Sequence, residues 1–176
     1  LMLCHRAEYV SSVSDDVRMG HRALRTGDTD ICRESFDVAR RAVGGALNAV
    51  DAVLGGQVRN AFCALRPPGH HAEADRGMGF CIFNNAAIAA RYALQYEGID
   101  RVLIADWDVH HGNGTQWIFY DDPAVFYFST HQWPHYPGTG MRDDVGADSG
   151  RGFTLNAPLA GGSARVEVLG AFESKL

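Results

Sequence analysis

Apolar residues between Glu34 and Leu54 recur at three- and four-residue steps, among them Phe36, Ala39, Val43, Leu47 and Val50. That period marks one face of a long amphipathic helix, which Gly55-Gly56 ends. Gly44-Gly45 in its middle costs about 1 kcal/mol per glycine against alanine, so close packing on a neighbour is expected there. Asn60–Leu65 (NAFCAL) reads as a buried strand, and Asn84-Asn85 can cap a helix from Ala86 to Tyr96. Val102–Ala105 is a short apolar run of the kind buried on both faces of a parallel sheet. Strand, helix and strand at this spacing form a right-handed βαβ unit. Beyond it, Thr115 can cap a helix over Gln116–Tyr120, and Ala124–Thr130 is a third strand. Phe153–Leu159 makes a short fourth strand, and Ser163 can cap a helix running to Leu176. Ser11–Ile31 carries no clean period and reads as loop, with a short helix near Ser14–Gly20. The expected fold class is α/β, a parallel sheet flanked by helices.

Composition narrows the picture. A chain of 176 residues suits one domain, taken as 1–176. The net charge of −5 and the lack of any basic run argue against a nucleic-acid partner. No stretch approaches the roughly 18 apolar residues of a membrane span. Four cysteines (Cys4, Cys32, Cys63, Cys81) are widely spaced, Cys63 and Cys81 in apolar settings that suggest burial, which favours a reducing, cytoplasmic compartment. The chain begins without methionine and already in an apolar segment, as an excised piece would. Ser174-Lys175-Leu176 matches a peroxisomal address, a tripeptide that chance supplies easily.

Chemistry concentrates where strands end. Strand alternation would put Asp106, Asp108 and His110 on one face at the end of the Val102 strand. Two carboxylates that close repel each other and lose solvation unless a cation or hydrogen bonds compensate. A divalent zinc, iron or manganese ion would accept this donor set; a turn cap, an arginine partner and a core histidine would also account for it. Arg66-Pro67-Pro68-Gly69-His70-His71 is a stiff loop that can hold side chains in place. Its tandem histidines suit metal ligation, general acid–base work near neutral pH, or plain loop polarity. Ser129, His131 and Gln132 end the third strand, and Trp133–Gly140 is an aromatic loop able to wall a pocket.

Taken in order, Arg66–His71, Gly79-Phe80-Cys81 with Phe83-Asn84-Asn85, Asp106–Thr115, Ser129-Thr130-His131 and Tyr136–Gly140 closely resemble the motifs of the histone deacetylase superfamily of zinc-dependent amidohydrolases. That superfamily includes class II-like deacetylases, acetylpolyamine amidohydrolases and acetoin-utilisation proteins. The resemblance implies an arginase/deacetylase-like α/β fold, incomplete at the C-terminus, and removal of acetyl groups from acetyl-lysine or acetylpolyamines by metal-activated water. It assigns Asp108 and His110 to zinc, and His70 and His71 to a catalytic pair with His71 the general base. Asp106 would support His70 and join Ser129 at a monovalent-cation (K⁺) site. Asn113 would partner His71 in place of aspartate, which implies a less polarised histidine. Phe80 and Tyr136, with Gly79, would flank the acyl channel. The family's third zinc ligand and oxyanion tyrosine lie beyond Leu176, so the chain alone is expected to bind zinc weakly and turn over poorly. A bacterial cytoplasmic protein fits these features. The competing readings are an arginase-like di-manganese ureohydrolase and an inactive acyl-amine-binding module.

Overall fold

The structure is a computed structural model that describes residues 1–175. Its elements are α1 (Ala7–Arg18), α2 (Ser35–Leu54), α3 (Asn85–Ala93), β1 (Val102–Asp106), α4 (Asn113–Ile118), β2 (Val125–Gln132), β3 (Thr154–Leu159) and α5 (Arg165–Lys175). The strands form one parallel sheet in the order β1-β2-β3. β2 lies in the middle, and Val125, Tyr127, Phe128 and Ser129 are fully buried, as expected of a strand covered on both faces. The register sets Asp106 beside Ser129 and Ser129 beside Asn156, so polar residues line up across the sheet where β1 runs out.

Helices cover the sheet and each other through two apolar clusters. Tyr9, Val13, Val43, Phe83 and Ile88 form one, and Ala87, Ala90, Phe119 and Val125 the other. α3 bridges the two. Its N-terminus is held by the Asn84 side chain, which accepts the Ala87 amide at 3.0 Å. The Tyr9 hydroxyl donates to the Ile82 carbonyl at 2.6 Å, so the ring that fills the first cluster leaves no polar atom stranded.

Several expectations change. Residues 60–65 form no strand: Phe62 is 94% exposed, and among the described residues nothing pairs with this segment. An apolar run becomes a strand only where a ladder partner exists, and β1 pairs with β2 alone, leaving Leu103 exposed on its other side. The βαβ unit expected there is therefore not formed, and Cys63 is exposed while Cys81 is buried as expected. Leu65 packs on Gly45, where a Cβ would come within 3.0 Å of its Cδ2; Gly44 faces open space.

α1 is longer than the short helix expected. Its buried face is Tyr9, Val13 and Asp16, so a carboxylate takes a core position and hides the apolar period. Asp16 is satisfied by the Arg25 amide and guanidinium at 3.0 and 2.6 Å and by His21 at 3.0 Å. α3 stops at Ala93 rather than Tyr96. Thr115 lies inside α4, whose N-cap is Gly112. β2, β3 and α2 match their expected positions to within two residues. The expected end of α5 at Leu176, and with it the last residue of the Ser174–Leu176 tripeptide, lies outside the described residues.

Candidate active site

β1 ends at Asp106, and the chain then leaves the sheet, so the strand alternation expected through His110 holds only for its first member. What continues the stack is hydrogen bonding. The Asp108 amide donates to Asp106 Oδ1 at 3.2 Å, and the His110 amide donates to Asp108 Oδ1 at 2.8 Å. The departing loop stays tied to the sheet by the Gln132 amide, which donates to the Val109 carbonyl at 2.9 Å.

The Arg66–His71 loop meets this turn. Its path is fixed by Asn85, whose Nδ2 donates to the Pro67 carbonyl at 3.0 Å, and by the Thr115 amide, which donates to the His70 carbonyl at 3.1 Å. The imidazoles of His70 and His71 lie 4.1 Å apart between ring centres. Each leans on a different partner: His70 Nδ1 is 2.9 Å from Asp106 Oδ2, and His71 Nδ1 is 2.8 Å from Asn113 Oδ1. Tyr127 also donates to Asp106 Oδ2, at 3.2 Å. A side chain at Gly112 would run into the Asp106 carboxylate, the Tyr127 hydroxyl and His70 Nδ1, so only glycine lets the turn pass this close.

The two histidines are driven apart electrostatically. Burial opposes charge on His70, but its hydrogen bond to Asp106 and the pull of Asp106 and Asp108 outweigh that and raise its pKa. Burial lowers His71 to about 4, and neighbouring His70 pushes the same way. The pair is thus uneven: His70 holds a proton more readily than a free imidazole, and His71 less readily. Burial raises the Asp106 pKa, yet the His70 hydrogen bond outweighs it and the net shift is downward.

Asp108 Oδ1 and His110 Nδ1 face each other at 3.0 Å on the open side of the pair. Zinc–oxygen and zinc–nitrogen bonds of about 2.0–2.2 Å place two ligands of one tetrahedral ion about 3.3 Å apart, so these atoms fit neighbouring positions on one ion. Both side chains are partly exposed, as donors to an added group must be. Among the described residues no group of three or more histidines, cysteines and carboxylates is placed to hold a metal ion.

Ser129 is fully buried beside Asp106. His131 Nε2 lies 2.9 Å from the Gly140 carbonyl and so carries a hydrogen, leaving Nδ1 to accept from the Ser129 hydroxyl at 2.9 Å. Tyr136 stands edge-on to His71 at 5.1 Å and to His110 at 6.1 Å, so it walls the site. Gly79 touches the same wall, since a Cβ there would strike the His71 ring and come within 3.1 Å of Tyr136. Phe80, the next residue, is 71% exposed and lines a hollow with Cys32, Pro67 and Ile82. Its φ of 66° is a conformation a bulky side chain seldom adopts. A separate hollow of about 360 Å³ opens beside β1 against His70, Asp106 and Asp108.

Three contributors escaped the sequence reading. Asp28 accepts from the Gly79 amide at 2.7 Å and the Tyr136 hydroxyl at 3.0 Å, which braces the aromatic wall. Tyr127 supports Asp106, and Glu73 accepts from Asn113 Nδ2 at 2.7 Å. Only Glu73, two residues beyond His71 in the same loop, had a position that could have pointed to it.

A model of the histone deacetylase domain matches residues 1–176. The chain belongs to the histone deacetylase family. Within this family it is 46% identical to a probable deacetylase of Archaeoglobus fulgidus, over 90% of the chain and 44% of that protein. It is 44% identical to the polyamine deacetylase HDAC10 of Rattus norvegicus, over 98% of the chain and 31% of that protein. An uncharacterized protein of Synechocystis sp. is 46% identical over the whole chain and 56% of its own length. The chain thus spans about half the length, or less, of these relatives. Among solved structures, the HD domain of HDA15 superposes with a TM-score of 0.84 at 42% identity, covering 89% of the chain and 46% of that domain's chain. The parallel sheet with flanking helices is accordingly the arginase/deacetylase fold.

Proposed function

We propose that the protein is a zinc-dependent deacetylase that hydrolyses N-acetylated amines, with acetyl-lysine side chains and acetylpolyamines as the substrate class. The observation that carries this reading is the meeting of two unequal histidines with the Asp108–His110 donor pair at one sheet edge. Asp108 and His110 serve as two of the three protein ligands that a hydrolytic zinc site uses, the third coming from outside the 176 residues. Zinc, when bound, supplies Lewis-acid polarisation of the amide carbonyl and acidifies a water.

The remaining work falls to the chain. His71, neutral at pH 7, accepts the water proton on the ring nitrogen turned away from Asn113. His70, whose charge Asp106 favours, supplies a proton to the departing amine. Tyr136 packs against the acyl chain and keeps water from its flank, while Asp28 holds the ring in place. Asp106 and Ser129 cradle a monovalent cation such as potassium behind the site.

The reading extends to a cytoplasmic bacterial enzyme. The relatives in Synechocystis sp. and Archaeoglobus fulgidus support it. Release of acetate from an acetyl-lysine peptide and from N-acetylspermidine by the protein at its full natural length, before and after chelation and zinc readdition, tests the proposal. Turnover restored by zinc is the expected result; hydrolysis indifferent to chelation, or none with zinc bound, would sink it.

A further inference from the structure

His71 is an acceptor of protons only if one particular ring nitrogen is bare, and the groups behind it decide which. Asn113 Nδ2 has three neighbours: Glu73 Oε1 at 2.7 Å, Met78 Sδ at 3.4 Å and the His71 carbonyl at 3.5 Å. A carboxylate, a thioether and a carbonyl can only accept, so the Asn113 atom facing them must be the NH₂ group. The Asn113 oxygen therefore faces His71, and because an amide oxygen cannot donate, His71 Nδ1 must carry the hydrogen. Nε2 is then the bare nitrogen, and among the described residues it has no hydrogen-bond partner. Glu73 supplies the shortest of the three contacts. It is itself held by Arg76, whose guanidinium lies 3.0 Å from the same oxygen.

We propose that Glu73 is a positioning residue which, through Asn113, fixes His71 in the Nδ1–H form with Nε2 unprotonated. The substitution of asparagine for aspartate beside His71 is then offset, since the negative charge sits one residue further back and polarises the asparagine amide instead. The tautomer is a property of the fold alone; its consequence for hydrolysis rests on the deacetylase reading above.

Labelling the protein with ¹⁵N-histidine and recording long-range ¹H–¹⁵N correlations at pH 7.5 reads the tautomer of each ring without any turnover. Assignment follows from a His71→Gln variant. His5 provides an internal reference for the fold, because its Nε2 accepts the Asn84 amide at 2.9 Å and its Nδ1 lies 2.9 Å from the Glu73 backbone carbonyl, contacts no Glu73 side-chain change removes. Wild-type His71 is expected to show a single pyrrole-like Nδ1. Glu73→Ala is expected to give a mixture of tautomers at His71 with His5 unchanged, and Glu73→Gln, whose oxygen Arg76 can still orient, to retain the wild-type pattern. Should the alanine variant lose the His5 signal, Glu73→Asp, which keeps the charge but draws the oxygen back from Asn113, gives the same reading. In a deacetylase assay Glu73→Ala lowers kcat about tenfold at unchanged KM. A His71 that stays wholly in the Nδ1–H form in Glu73→Ala overturns the proposal; absence of deacetylation with the tautomer change intact refutes only the deacetylase reading.

Discussion

His70 Nδ1 lies 2.9 Å from Asp106 Oδ2, and this contact ties the proline-rich loop to the end of the central sheet. Asp106→Asn keeps the shape but removes the charge that raises the His70 pKa. We predict a 10- to 100-fold loss of deacetylation, as roughly expected when a buried partner of a working histidine is lost. Steady-state hydrolysis of an acetyl-lysine peptide by the variant measures it; unchanged kcat would show that His70 does not need its charge.

Gly112→Ala forces a methyl group against the Asp106 carboxylate and the Tyr127 hydroxyl, both fixed by the sheet. Overpacking of this kind costs about 1–3 kcal/mol. A urea titration followed by tryptophan fluorescence should show the unfolding free energy fall by that amount and the midpoint fall with it, and a wild-type midpoint would mean the turn can move aside.

The same titration distinguishes core from surface. Phe83, 1% exposed and edge-on to Tyr9 and Phe36, should cost about 3–5 kcal/mol on truncation to alanine. Phe62→Ser, at a ring 94% exposed in this chain, should change stability by less than about 0.5 kcal/mol. Equal effects would show that residues 60–65 are buried after all.

Acid should destabilise the fold through His5. Burial lowers its pKa from 6.5 to about 4. Between these values the unfolded chain binds a proton that the native state refuses, so stability rises with pH across this window. The contribution is fully present above pH 6.5 and is lost as pH falls toward 4, amounting to about 3 kcal/mol at about 1.4 kcal/mol per unit. Urea midpoints at pH 7.5, 6 and 5 should decline, and less steeply in His5→Gln; parallel slopes would place the titrating group elsewhere.

Much of this was legible because local and tertiary signals agree. The α2 period, the Asn84 cap and the β2 run each name their own structure, and the motif order from Arg66 to Gly140 names the family. The failures have physical causes. NAFCAL looks like a strand, but an apolar run states only that it wants a partner, not that one is present. α1 was obscured because Asp16 fills a core position, and its partner Arg25 lies nine residues on, outside any helical period. Asp28 escaped for a related reason: its partners Gly79 and Tyr136 are 51 and 108 residues away, and no spacing rule joins them.

The most direct test of the account measures zinc content and acetyl-lysine peptide hydrolysis together, on the protein at its full natural length and on two variants. We predict that wild type holds zinc and turns over, that Asp108→Ala loses both, and that His71→Ala keeps its zinc but loses about a thousandfold in kcat. Turnover by His71→Ala at the wild-type rate, or by Asp108→Ala without zinc, would contradict it.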